Sequence, residues 1–120
     1  MQVLRLSFLG RKSAEGVENV PEFLAVCRAE AVRQGRGLTV EVQGRRIAIL
    51  NDAGQFHALT DRCPHAGGSL GQGWVEDGEA VCPLHRWRFR LKTGRCSTAR
   101  GHSLHQYACK LRDGMVWVAF

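Results

Sequence analysis

Residues 62–86 read RCPHAGGSLGQGWVEDGEAVCPLHR, and the same small unit occurs in them twice. Cys63-Pro64-His65 forms the first loop and Cys82-Pro83-Leu84-His85 the second, with 16 residues between His65 and Cys82. Thiolate and neutral imidazole both bind iron and zinc, so the distribution of ligands has to decide between metals. A structural zinc site typically gathers its cysteines on one tight knuckle and its other ligands on a second. Here each loop offers one cysteine and one histidine. That distribution suits a binuclear cluster whose two metal ions have different ligands, with Cys63 and Cys82 on one and His65 and His85 on the other. A structural zinc module is the rival reading of the same four residues.

Outward from these loops the chain reads as strands. Leu38, Val40 and Val42 alternate with Thr39, Glu41 and Gln43, the period-2 pattern of a half-buried strand. Ile47–Leu50 gives a second strand, Asn51–Gly54 a turn, and QFHALT a third strand. Near the end, Asp113-Gly114 between YACKL and MVWVAF is a short hairpin signal. Short strands joined by glycine-rich turns predict an all-β fold, a small antiparallel β-barrel or sandwich. Between Thr60 and Ala80 the periodicity fails, and this stretch is expected to be a long irregular connection with a function. FLAVCRAEAVRQG has helical propensity, with a short strand at Phe23–Arg28 and one helical turn as the alternative. Residues 1–20 carry no turn chemistry linking them to later strands, and are expected to form an extension, packed on the barrel or on a partner, ahead of a domain at 21–120.

The chain has 120 residues, enough for one domain that buries roughly two thirds of its unfolded surface. No run approaches the ~18 apolar residues of a membrane helix. The opening MQVLRLSFLGRK lacks the apolar core and small-residue cleavage site of a secretory signal, so a reducing cytoplasm is the expected compartment. Five cysteines, an odd number, then argue for metal or thiol chemistry over a disulfide framework. Net charge is +6 and unevenly placed: no acidic residue occurs between Ala80 and Arg112. Nucleic-acid binding would explain the charge, but no recognition motif accompanies it.

With HALTDRCPHAGGSLGQG, CPLHRWRF and the KTG turn on the page, the chain resembles the Rieske family over Phe23 to Phe120, and within it the small soluble ferredoxins. The resemblance implies a Rieske [2Fe–2S] cluster with Cys63, His65, Cys82 and His85 as ligands. It also favours the strand at Phe23–Arg28 and puts the histidine-ligated iron nearest solvent. Two ferric ions, two sulfides and two thiolates cancel to about zero net charge, about two units less negative than a four-cysteine cluster. Histidine ligation thus lifts the potential to about −150 to +300 mV, against about −400 mV for plant-type ferredoxins. Proton loss from the imidazoles would lower it at high pH.

Departures from the family pattern narrow the type. Where high-potential members of respiratory complexes have two loop-linking cysteines, this chain has Gly68 and Leu84. Where they have hydroxyls bonded to cluster sulfur, it has Trp87 and Phe89. Fewer donors to sulfur predict a potential near the lower end of the Rieske range. The second loop also resembles that of Rieske oxygenases, but the chain has no room for their larger iron domain, so it is expected to carry electrons and not to be an enzyme. The implied role is a ferredoxin passing electrons from a reductase to a terminal oxidoreductase. The alternative is the small, non-catalytic subunit of an NAD(P)H-dependent nitrite reductase, which RFRLKTGRC also resembles. Arg86 and Arg88, just past a ligand, are candidates for docking an acidic partner. Cys27, Cys96 and Cys109 are expected as small buried hydrophobes, and His57, His102 and His105 as ordinary strand or surface residues.

Overall fold

The computed structural model describes residues 3–6 and 22–119. In chain order its strands are β1 (Val3–Leu6), β2 (Phe23–Arg28), β3 (Gly37–Val42), β4 (Arg45–Asp52), β5 (Gln55–Thr60), β6 (Trp74–Glu76), β7 (Glu79–Val81), β8 (Arg88–Arg90), β9 (Gln106–Tyr107), β10 (Cys109–Arg112) and β11 (Met115–Ala119). They form three open sheets, ordered β1-β3-β4-β5-β9, β10-β11-β2 and β6-β7-β8. The arrangement is a small sandwich, and the sheets do not close into a barrel.

The apolar run Ile47–Leu50 explains the layering. Side chains alternate across a strand, so Ile47 and Ile49 enter one apolar core while Ala48 and Leu50 enter another. β4 is therefore a wall shared by two cores. The first core is filled by β2, β3 and β11, among them Leu24, Val26, Val40, Val116 and Val118. The second contains Leu59, Leu70, Phe89 and Leu91, and it also contains Cys63 and Cys82. Burial on both sides corrects the reading of Thr39 as an outward residue: it is fully buried.

Phe23–Arg28 is a strand despite its helical composition. It pairs antiparallel with β11, Phe23 opposite Ala119 and Arg28 opposite Met115, and helical geometry returns only in the 3₁₀ turn Ala29–Ala31. Burying Leu24, Val26 and Cys27 outweighs propensities of a few tenths of a kcal/mol per residue. The Asp113-Gly114 hairpin forms as expected, with φ of 53° and 73°, the left-handed pair that a two-residue type I′ turn requires.

One expectation needs correction, and one gains detail. Residues 60–80 are not wholly irregular: β6 and β7 make a hairpin around Asp77-Gly78, whose φ values of 51° and 74° repeat the type I′ geometry. Strands of three residues are too short to display a period, but the Asp-Gly pair was a readable signal. In the segment 1–20, Val3–Leu6 is joined to the sheet as a parallel edge strand on β3, Val3 opposite Thr39. The remainder of that segment lies outside the described residues.

Burial governs two of the cysteines left over. It pushes the Cys27 thiol up to about 12, with Cys109 adding to the effect, and the Cys109 thiol up to about 11. Both pack in or against the first core and stay thiols at neutral pH. Cys96 is half-buried against the second core.

Candidate metal centre

The two cysteine–histidine loops leave the sheets by the same device. The Cys63 N–H donates to the Gly68 carbonyl and the Cys82 N–H to the Trp87 carbonyl, each at 2.8 Å. Each cysteine is thereby held at the root of a loop that closes five residues further on. In the second loop His85 and Arg86 are both left-handed, with φ of 68° and 60°. That conformation costs about 1–2 kcal/mol per non-glycine residue, and it turns the chain sharply enough to bring His85 over the first loop.

The four predicted site residues come together as two pairs, Cys63 with Cys82 and His65 with His85. Cys63 and Cys82 are buried and adjacent, whereas His65 and His85 are exposed. Burial pushes the Cys82 thiol up to about 11, and Cys63 beside it pushes the same way. The two imidazoles meet with Nδ1 atoms 3.2 Å apart and their rings edge to face. The donors form a sulfur pair inside and a nitrogen pair at the surface. Among the described residues no group of three or more His, Cys, Asp or Glu gathers around one metal position. Two unlike pairs fit a binuclear iron–sulfur group better than one tetrahedral zinc ion. A positive centre would also stabilise the thiolates that burial disfavours.

The loops abut tightly. A Cβ on Gly68 would stand 2.6 Å from the Cys82 sulfur and 3.0 Å from the Leu84 Cβ. Gly68 and Leu84 therefore face each other, in the place where the family resemblance puts a cross-link, and neither can form one. Gly67 has φ of 72°, so both glycines serve loop geometry. Trp87 stacks on the His65 ring, with centroids 4.4 Å apart and planes at 17°, and His102 meets Trp87 edge-on at 5.2 Å. Phe89 is fully buried in the second core. His57 is half-buried in β5, where burial lowers its pKa. His105 is exposed and packs edge-on against Tyr107.

Sequence reasoning missed Asp61. This carboxylate is 1% exposed and anchors the first loop from beneath. Its Oδ1 accepts from the Thr39 hydroxyl at 2.9 Å and from the Gly71 N–H at 2.8 Å. The Ser69 hydroxyl lies 2.8 Å from Oδ2, and the Arg46 guanidinium lies 3.6 Å away on the more exposed side. One carboxylate thus ties β3, the loop and the 3₁₀ turn Leu70–Gln72 together. An aspartate two residues before a candidate ligand was the available sign, but its burial depends on strands distant in sequence.

Arg88 is also reassigned. It pairs with Glu76 at 2.6 Å and Glu79 at 3.3 Å, across the small sheet, so its charge is already matched. Arg86 stays exposed beside His85.

An all-β sandwich that presents two buried thiols and two exposed imidazoles from paired loops is a binuclear iron–sulfur module. Residues 22–108 match the Rieske [2Fe-2S] domain, and the chain belongs to that family, whose group is the Rieske-type cluster. The chain is 40% identical over 70 residues to the 3-phenylpropionate/cinnamic acid dioxygenase ferredoxin subunit of Escherichia coli K12, covering 58% of this chain and 65% of that protein. It is 34% identical over 95 residues to human apoptosis-inducing factor 3, covering 78% of this chain but only 16% of that protein. Thus it spans about one sixth of that relative and just under two thirds of the ferredoxin subunit. Among solved structures, a carbazole 1,9a-dioxygenase ferredoxin in complex with its oxygenase gives a TM-score of 0.72 at 28% identity, covering 81% and 92% of the two chains. A protein described as an NADH-dependent nitrite reductase small subunit from Mycobacterium tuberculosis gives 0.77 at 24% identity, covering 85% and 97%, a likeness of fold.

Proposed function

We propose that Cys63 and Cys82 hold one iron of the [2Fe–2S] cluster and His65 and His85 the other, and that the chain passes single electrons from a reductase to a terminal oxidoreductase. The observation that carries this reading is the sorting of the four donors into a buried sulfur pair and an exposed imidazole pair. When bound, the cluster supplies a one-electron couple. The protein's part is to keep water from the sulfur end with the second core and to offer the two histidines to a partner. Nothing in this role requires the chain to bind or turn over a substrate, so we read it as a carrier and not an enzyme.

The likeness to a dioxygenase ferredoxin subunit favours an oxygenase-type acceptor. The fold likeness to a nitrite reductase small subunit keeps a permanent, non-catalytic subunit as the second reading. Co-purification with a large subunit from the native source distinguishes them. We assign the domain to 21–120 and treat 1–20 as an extension, a division supported by the family match beginning at residue 22. No helix among the described residues is long and apolar enough to cross a membrane.

The test is spectroscopic. Anaerobically reconstituted protein is expected to absorb in the visible and to give an EPR signal on reduction. Cys82→Ser should abolish both, whereas Cys96→Ser, at a cysteine outside the four donors, should leave them intact. His65→Cys or His85→Cys should lower the potential or lose the cluster. Colourless wild-type protein after reconstitution would end the proposal. The chain supplies no hydroxyl at Trp87 or Phe89, so its midpoint potential is expected near the lower end of the family range of about −150 to +300 mV. A titration midpoint well above zero contradicts that placement.

A further inference from the structure

One cationic feature is not used by the cluster. The segment after β8 folds back on itself: Cys96 N–H donates to the His102 carbonyl at 3.0 Å, and Arg95 bridges to Ser103. Two clefts open side by side on this flank, one bounded by Arg95, Arg100 and His102, the other by Arg90, Thr93 and Arg95. Arg90, Arg95 and Arg100 are exposed and make no ion pair among the described residues, while Arg88 close by has taken both nearby glutamates. Residues 81–111 contain no acid, and the one carboxylate that reaches the flank, Glu79 on the Ser97 hydroxyl, is already paired with Arg88. The flank is also continuous with the metal centre, because His102 rests on Trp87 and Trp87 is stacked on His65.

We propose that this arginine flank, Arg95 and Arg100 above all, is the recognition surface for a protein partner whose docking face carries clustered carboxylates. The inference rests on the electron-carrier reading and adds where the partner sits: to one side of the two histidines, over residues 95–103, and not squarely over the tip. The backbone there is held by its own hydrogen bonds, so docking orders only the arginine side chains. Unmatched like charges on one face raise the encounter rate with an oppositely charged face and lose that effect as salt screens them. A partner seated on this flank touches His102, whose ring meets Trp87, which is stacked on His65.

Binding of poly-L-glutamate to the reconstituted protein, followed by calorimetry at several salt concentrations, tests the proposal, with pyrophosphate as the second probe. Arg95→Gln combined with Arg100→Gln should weaken poly-L-glutamate binding about tenfold at low salt, as expected for the loss of two modest charge contacts. The cluster's absorption should not change. Arg33→Gln combined with Arg36→Gln removes the same charge from the connection between β2 and β3, and should change binding little. Equal losses in the two double variants would overturn the proposal, since net charge alone would then explain the affinity. Pyrophosphate binding tighter than poly-L-glutamate and lost with Arg95 and Arg100 would overturn it too, by making the flank a site for a phosphate ligand. Failure of the protein to take up a cluster would instead count against the carrier reading.

Discussion

Asp61→Ala is expected to cost about 3–5 kcal/mol of stability, a large share of the 5–15 kcal/mol that holds a domain of this size together. The variant takes the acceptor from three donors: the buried Thr39 hydroxyl and Gly71 N–H, and the partly buried Ser69 hydroxyl. Each buried, unpaired polar group costs about 1–3 kcal/mol, and Thr39 and Ser69 recover part of this by bonding to each other at their present 2.9 Å separation. The loss falls on the loop that carries Cys63 and His65, so cluster release should accompany it. Denaturant unfolding followed by far-UV circular dichroism and by visible absorbance should show both midpoints moving down together. Asp61→Asn keeps the volume but presents an NH₂ group where only an acceptor fits, and should fall between wild type and alanine. An alanine variant with the wild-type midpoint would show that the network is dispensable.

Gly73→Ala should be at least as harmful, for a steric reason. A Cβ at this position would lie 1.9 Å from the Val81 carbonyl oxygen and 3.1 Å from the Pro83 ring. The first is backbone of a central strand in the small sheet, and no rotamer change relieves it. Overpacking of this kind costs about 3 kcal/mol or more when the backbone has to move. Val81 and Pro83 flank Cys82, so the displacement passes directly to a candidate ligand. Gly78→Ala is the fitting control: its φ is 74°, but the space around it is open. Only the left-handed penalty of about 1–2 kcal/mol applies there, and the cluster should be retained. If the two variants unfold at the same denaturant concentration, the close approach of residue 73 to the second loop is not what the fold depends on.

The four candidate ligands were legible because their chemistry is written in residue type and spacing, and chance rarely produces that combination. Most strands were legible for a similar reason. Turn residues such as Asp113-Gly114 and Gly54 accept the left-handed φ that a tight turn needs, and the apolar run Ile47–Leu50 reads as a strand. Thr39 and Asp61 were not legible. Their types suggest solvent, and they are buried because they bond to each other across 22 residues of chain and to Ser69 and Gly71 beside them. Arg88 was misjudged on the same ground, since Glu76 and Glu79 reach it only after β6, β7 and β8 have paired.

Residue order alone thus singled out the four side chains proposed to hold the cluster and most of the turns, because both follow from local covalent chemistry. The folded arrangement alone decided which of those atoms face water, which cations are left without a counter-charge, and what braces the loops from below. Those properties belong to neighbours that are remote along the chain, and only packing can choose them.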